Sequence, residues 1–205
     1  MTDLDKAVVR KNARLWWNRL QPQSTKHGKR LPGDRATLAK LRRAGPLEGA
    51  CEPAVITLYD GLGFPRDVTV AKQMLARVAV LASLLSHVRD DVKVKLARSL
   101  GPPPGAKNGE GAALSTLRLR RLLAARGNDD IAIAFRRALA MIDHKANVGD
   151  LAWHVLVWDR DELGDRTRTL FAFDYHNAGE HAPPATADAS TAATADETVA
   201  DNPTA

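Results

Sequence analysis

At 205 residues, 44% of them hydrophobic, the chain can bury one sizeable core and is too apolar to be a disordered protein. Its one cysteine, Cys51, excludes an intrachain disulfide and a thiolate metal cluster, and reads as a small buried hydrophobe. The net charge is +6, but Glu180, Asp188, Asp196, Glu197 and Asp201 near the C-terminus have no Lys or Arg among them, so residues 1–175 carry +11. Residues 1–43 alone hold twelve Lys or Arg against Asp3, Asp5 and Asp34. Charge polarised in this way favours a nucleic-acid partner.

Taken in order, the first helix is predicted from about Asp3 to Leu20, with Val8, Val9, Asn12, Leu15, Trp16 and Leu20 towards the core. Lys6, Arg10, Arg14 and Trp17 share its opposite side, where an exposed indole could stack a base or meet a subunit. Residues 21–33 have loop composition and carry Lys26, Lys29 and Arg30. Asp34 caps a short helix with Leu38 and Leu41 inward and Arg35, Arg42 and Arg43 outward, ended by Gly45 and Pro46. A brief helix from Pro53 to Tyr59 leads to Asp67, which opens the longest one. Its stripe of Ala71, Met74, Leu75, Val78, Leu81, Ala82 and Leu85 marks a core helix. Val92 to Leu100 reads as another short helix, stopped by GPPPGAKNGEG.

From Leu114 to Trp158 apolar residues recur at helical spacing through three segments. In the first, leucines at 114, 117, 119, 122 and 123 go almost all the way round, which predicts a helix held between neighbours, with Arg118, Arg120 and Arg121 emerging through gaps. In the second, capped by Asn128 or Asp129, Ile131, Phe135, Ala138, Leu139 and Ile142 form the buried stripe, so Arg136 and Arg137 fall on its flanks and back. The third puts Leu151, Val155 and Trp158 on one side and Trp153 on the other. Together they read as a rigid scaffold that presents these five arginines, with almost no interior acid. An acid-rich turn, DRDELGD, then precedes a last helix from Arg166 to Tyr175, packing through Leu170, Phe171 and Tyr175.

Strand signals are nearly absent, so the fold class is all-α: a compact helical bundle of two small lobes over residues 1–176. Residues 177–205, rich in Ala, Thr, Asp and Pro, read as a disordered acidic tail. With no signal-peptide pattern, and with Val78 to Leu85 as the longest apolar stretch, the expectation is a cytoplasmic protein that engages no membrane.

Catalysis has no visible apparatus. GPPPGAK lacks the spacing, the following Ser or Thr and the preceding strand of a phosphate-binding loop. Asp159, Asp161 and Asp165 imitate a calcium loop, but Leu163 and Leu170 stand where oxygen ligands are needed. His87 and Asp91 lie one turn apart without further ligands, and His144 and His154 are isolated. Neither a metal nor another cofactor is expected.

Several features recur in a recognisable order over about residues 12–175. They are Trp16, then Asp34-Arg35-Ala36 leading to Leu41-Arg42-Arg43, LSTLRLRRLL at 114–123, Phe135-Arg136-Arg137, and the closing pair Trp153 and Trp158. In these the chain resembles the CasB family, the small subunit of type I-E CRISPR Cascade. The resemblance implies an all-helical, two-lobed, non-catalytic subunit, present as a pair in an RNA-guided antiviral ribonucleoprotein. Its implied partners are the other Cascade subunits, the crRNA, and target DNA including the displaced strand. It also implies nucleic-acid contact by Arg42, Arg43, Arg118, Arg136 and Arg137, and by Arg35, Arg66, Arg120 and Arg121. A different class of reading is a free-standing helical DNA-binding regulator, against which no helix pair shows a short glycine-bearing turn followed by a polar recognition helix.

Overall fold

Four helix starts among the described residues are set by short polar side chains that accept otherwise unpaired backbone amides. In the computed structural model, which describes residues 4–24, 30–103, 105–106 and 110–178, Asp5 accepts from Ala7 N at 2.7 Å and opens α1, Lys6–Leu20. Asp34 accepts from Thr37 N at 2.9 Å before α2, Arg35–Arg43, and Asp67 from Thr69 N at 2.8 Å before α5, Val68–His87. Asn147 accepts from Asp150 N at 2.9 Å before α9, Val148–Val157. The other helices are α3, Pro46–Gly49; α4, Pro53–Gly61; α6, Leu96–Leu100; α7, Thr116–Ala124; α8, Gly127–Met141; and α10, Asp161–His176. Extended structure among the described residues is confined to two-residue pieces: β1, Gln23–Ser24, antiparallel to β2, Arg30–Leu31, and β3, Asp90–Asp91, parallel to β4, Lys145–Ala146. The fold is all-α.

Helix α5 is the central post, with α2, α3, α4, α8 and α9 packed along it. By length and composition alone it could cross a bilayer, a wider apolar span than Val78 to Leu85 suggests. Its burial explains that composition, since every residue from Arg77 to Ser86 is buried. The two expected lobes share one cluster of buried apolar residues running from Val9 to Tyr175. Against this post α1 packs on α9 so closely that a Cβ at Gly149 would meet Arg10 O at 3.0 Å.

The largest fully buried side chain among the described residues is Trp158, whose ring meets Phe135 at 4.9 Å and Phe171 at 5.2 Å, both edge-on as ring quadrupoles prefer. Its Nε1 donates to Leu122 O at 3.3 Å, so one side chain joins α7, α8 and α10 behind α9.

One buried cation completes the frame. Arg77 of α5 donates through Nε to Asn128 Oδ1 at 2.8 Å, through Nη1 to Val155 O at 3.2 Å, and through Nη2 to both Asp159 oxygens at 2.8 and 2.9 Å. The Asp159 carboxylate also accepts the Gly127 amide at 2.9 Å. Gly127 has φ of 66°, a left-handed conformation that disfavours a side chain, and this turns the start of α8 onto Asp159. Burial alone would raise the Asp159 carboxyl, but its bonds to Arg77 and Gly127 outweigh that and hold it below the usual range.

Several sequence expectations change. Trp17 is not an exposed indole: it is buried, with Nε1 donating to Val88 O at 3.3 Å, while Trp16 donates to Ala54 O at 2.8 Å. Flanked by α9 and α4, α1 buries both tryptophans and leaves Val8 and Leu15 exposed instead. Cys51, in the turn between α3 and α4, is also exposed. Leu117 and Leu170 face outward, so α7 has one open side and α10 packs through Phe171 and Tyr175. The interior does hold acid, in Asp150 and partly buried Asp159. Pro46 starts α3 rather than only ending α2, and α6 starts at Leu96 because Asp90 and Asp91 pair with β4. Of the DRDELGD acids, Asp161 and Glu162 form the first turn of α10, where carboxylates suit the helix dipole. Asn128 is not the α8 cap, since its side chain binds Arg77. The expected disorder of the tail falls, from 179 onward, outside the described residues.

Arg77→Met keeps the apolar stem but leaves Asp159 without its cation, and is expected to cost about 3–5 kcal/mol, as for half of a buried ion pair. Urea denaturation measures this; a loss below about 1 kcal/mol would show that the clamp does not carry the frame.

Candidate nucleic-acid interface

The arginines fall into two groups according to what their guanidinium groups meet. In the first group each meets a carboxylate. Arg10 binds Asp150 at 3.0 Å, Arg14 binds Asp91 at 3.0 Å and Asn147 at 2.7 Å, Arg98 binds Asp174 at 3.3 Å, and Arg168 binds Asp165. Arg66 belongs here as well, forked onto Asp60 at 3.0 and 2.7 Å. The basic face expected on α1 is therefore largely engaged by acids of α9 and β3. Asp150 shows the strength of that engagement. Burial alone would raise its carboxyl, but hydrogen bonds from His154 and the Leu96 amide and the Arg10 cation hold it at about 2.

In the second group no arginine has an ion-pair partner among the described residues. Arg35, Arg120, Arg121, Arg136 and Arg137 are exposed without a hydrogen bond to any described residue. Arg42 and Arg43 donate only Nε, to the Ser86 carbonyl at 2.8 Å and the Ala39 carbonyl at 3.1 Å, which fixes their stems and leaves their outer nitrogens available. Arg118 rests a terminal nitrogen 3.2 Å from Met141 Sδ.

Helix α8 sorts these side chains into two grooves. Consecutive residues on a helix point 100° apart, so Arg136 and Arg137 leave on different flanks. On the α7 side, Arg118, Arg121 and Arg137 border a groove of about 630 Å³ floored by Leu114, Leu122, Ala138 and Met141, with Asp130 also lining it. On the α2 side, Arg43 and Arg136 border a smaller groove of about 180 Å³ with Pro46 and Asp129. Ile133, which lines both, is the 45% exposed ridge between them. Arg35, at the opposite end of α2 from Arg42 and Arg43, and Arg120 border neither groove.

Of the two histidines read as isolated, His144 pairs with His87, their rings stacked at 6.0 Å, while His154 meets Trp158 and Phe171 edge-on. After α8, Asp143 and His144 both take left-handed φ, 51° and 61°, and this sharp turn presents His144 to His87. Burial pushes the His87 imidazole down to about 4, and the nearby Arg136, His144 and Arg42 push the same way. Burial, Arg89 and Arg42 likewise lower His144, against an opposing Asp143. The two imidazoles thus register the cationic field that joins Arg42 to Arg136 and to Arg89. Arg89 is a cation that the sequence does not single out, since Asp90 and Asp91 follow it in the chain. In the fold, Asp91 faces Arg14 and the Val148 amide, and Arg89 is exposed.

A family model described as CRISPR-associated protein Cse2 matches residues 37–176, a span that includes both grooves and the Arg77 clamp. Among curated proteins and solved structures, none matches the chain significantly.

Because folded His87 binds its proton more weakly than the unfolded chain does, its contribution to stability is complete above about pH 6.5 and declines as pH falls towards 4. A polyanion laid along Arg42 and Arg136 would offset the cations that depress it. NMR titration is expected to give a midpoint near 4 in the free protein, moving upward with bound oligonucleotide. A midpoint unmoved at saturation would place the polyanion elsewhere.

Proposed function

That the chain belongs to the CRISPR-associated Cse2 (CasB) family of type I-E Cascade is the premise from which we propose its function. Within Cascade it is a non-catalytic brace in the cytoplasm, holding the crRNA–target duplex and the displaced DNA strand by their backbones, and accompanied by a second copy of itself. The observation that carries this reading is the set of arginines on rigid helices that have no ion-pair partner among the described residues, beside others that are paired with acids. A cation left without a carboxylate, its stem fixed on a packed helix, suits a phosphate oxygen better than a base edge. Backbone contacts also suit a complex in which base pairing with the guide, not the protein, reads the sequence.

The residues proposed for this role are Arg42, Arg43, Arg118, Arg121, Arg136 and Arg137, with Arg89 added from its place beside His144. Arg35 and Arg120 are peripheral contacts. Arg66 is left out, because Asp60 already fills its fork. The free-standing regulator gains nothing from the fold. Helix α8 is fixed by Ile131, Phe135 and Leu139 in the core and does not stand clear as a recognition helix.

Replacing Arg118, Arg136 and Arg137 together with Ala is expected to leave the circular dichroism melt and Cascade assembly intact while shortening R-loop lifetime on matched DNA. Each lost contact should cost on the order of 1 kcal/mol at moderate salt. Phe135→Ala, by contrast, should lose about 3–5 kcal/mol of fold stability. A triple variant that melts like Phe135→Ala, or that holds the R-loop as long as the parent, would sink the assignment.

A further inference from the structure

The larger groove has a built-in candidate occupant. Three arginines border it against one acid, Asp130, and its floor is of small and apolar side chains, among them Ala124, Ala125, Ala134 and Ala138. Segment 179–205 of the same chain has the complementary chemistry: Glu180, Asp188, Asp196, Glu197 and Asp201, no Lys or Arg, and mostly Ala and Thr between them. Small side chains allow an extended strand to lie low on an alanine-lined floor while its carboxylates reach the rim.

The root of that segment lies at the end of the groove. Tyr175 in the last turn of α10 donates its hydroxyl to the carbonyl of Leu114, and Leu114 lines the groove ahead of α7. The backbone leaves from there, with Asn177 N bonded to Phe173 O at 3.0 Å and Ala178 following. Arg121 is seven positions beyond Leu114, about 10 Å of chain rise if helical throughout. Ten extended residues span at most about 33 Å, so Glu180 and Asp188 both come within range of all three arginines.

We propose that segment 179–205 occupies the α7–α8 groove and competes there with nucleic acid for Arg118, Arg121 and Arg137. The competition, though not the docking, rests on the function proposed above. A tethered segment at an effective concentration of about 1 mM, with a local dissociation constant of about 0.2 mM, would weaken an external polyanion about sixfold. Such a brake would suppress stray contacts with free nucleic acid and yield to a duplex held in place by other subunits.

The test uses the full chain and a variant with Glu180→Gln, Asp188→Asn, Asp196→Asn, Glu197→Gln and Asp201→Asn. Phenylglyoxal footprinting by mass spectrometry, without nucleic acid, is expected to modify Arg118, Arg121 and Arg137 several-fold faster in the variant, with Arg35 and Arg120 unchanged. Equal rates in the two proteins would overturn the proposal. So would uniform acceleration of all exposed arginines, the signature of net charge alone, or protection that survives neutralisation and grows with protein concentration, which would assign the groove to a second copy. Fluorescence anisotropy with a mixed-sequence single-stranded oligonucleotide at low salt should then show the variant binding about sixfold tighter, the gap closing at high salt. Equal affinity of the two proteins would overturn the competition. Failure of the functional reading appears separately. In the neutralised background, Arg118→Ala, Arg121→Ala and Arg137→Ala would together leave oligonucleotide affinity unchanged.

Discussion

The fold turns on one guanidinium. Arg77 stands in the middle of the central apolar helix, where an isolated cation would carry a penalty of several kcal/mol. It is tolerated because three different elements supply acceptors at once: Asn128 at the start of α8, the Val155 carbonyl of α9 and the Asp159 carboxylate beyond it. The consequence is geometric. Hydrophobic stripes would allow α8 to slide or rotate on α5 by a fraction of a turn, whereas a planar fork with fixed partners sets its register. Arg136 and Arg137 inherit their directions from that register. The Trp158 cluster, one residue before Asp159, ties α7 and α10 to the same arrangement.

The distribution of acids explains the interface as much as the distribution of bases does. Asp150, Asp159, Asp174 and Asp91 are each held by at least one Arg or Lys that belongs to the frame. Acids engaged in this way cannot neutralise the outer arginines, so the arginines named on α2, α7 and α8 have no ion-pair partner among the described residues, although the sequence around them is not free of carboxylates. His87 shows the result: it is held near 4 by burial, reinforced by cations that arrive from α2 and α8 together. The surface potential therefore arises from tertiary pairing choices, and the net charge of the chain is only their sum.

That is also why the sequence was legible in some places and opaque in others. Local physics wrote the helix starts plainly: Asp34 and Asp67 cap where a short acceptor precedes an apolar stripe. The stripe of α8 was equally readable, since burial at Ile131, Phe135, Ala138 and Leu139 follows the 3.6-residue period, and with it the outward faces of Arg136 and Arg137. Trp17 was misread because α1 is covered on two sides, a property of its neighbours α4 and α9 and not of its own periodicity. Arg77 was passed over because a cation one residue before Val78 looks like the edge of an apolar stripe until the partners arrive from 51 and 82 positions away. The pairing of His87 with His144 depends on two consecutive left-handed residues, for which Asp143-His144 gives no glycine signal.

A single helix that sends consecutive arginines into two grooves constrains any polyanion bound to it. Arg137 shares its groove with Arg118 and Arg121, and Arg136 shares the other with Arg43. The Ile133 ridge separates them. A backbone lying in one groove cannot satisfy both residues without crossing that ridge, where an apolar side chain offers a phosphate nothing. In the proposed role, Arg136 and Arg137 therefore hold different segments, or different strands, of one nucleic-acid assembly. The wider groove, with an apolar floor beneath its arginines, suits a strand whose unpaired bases can meet that floor. The smaller one suits a backbone gripped between Arg43 of α2 and Arg136 of α8. On this argument the adjacent pair Arg136-Arg137 is a divider between two paths and not a doubled contact on one.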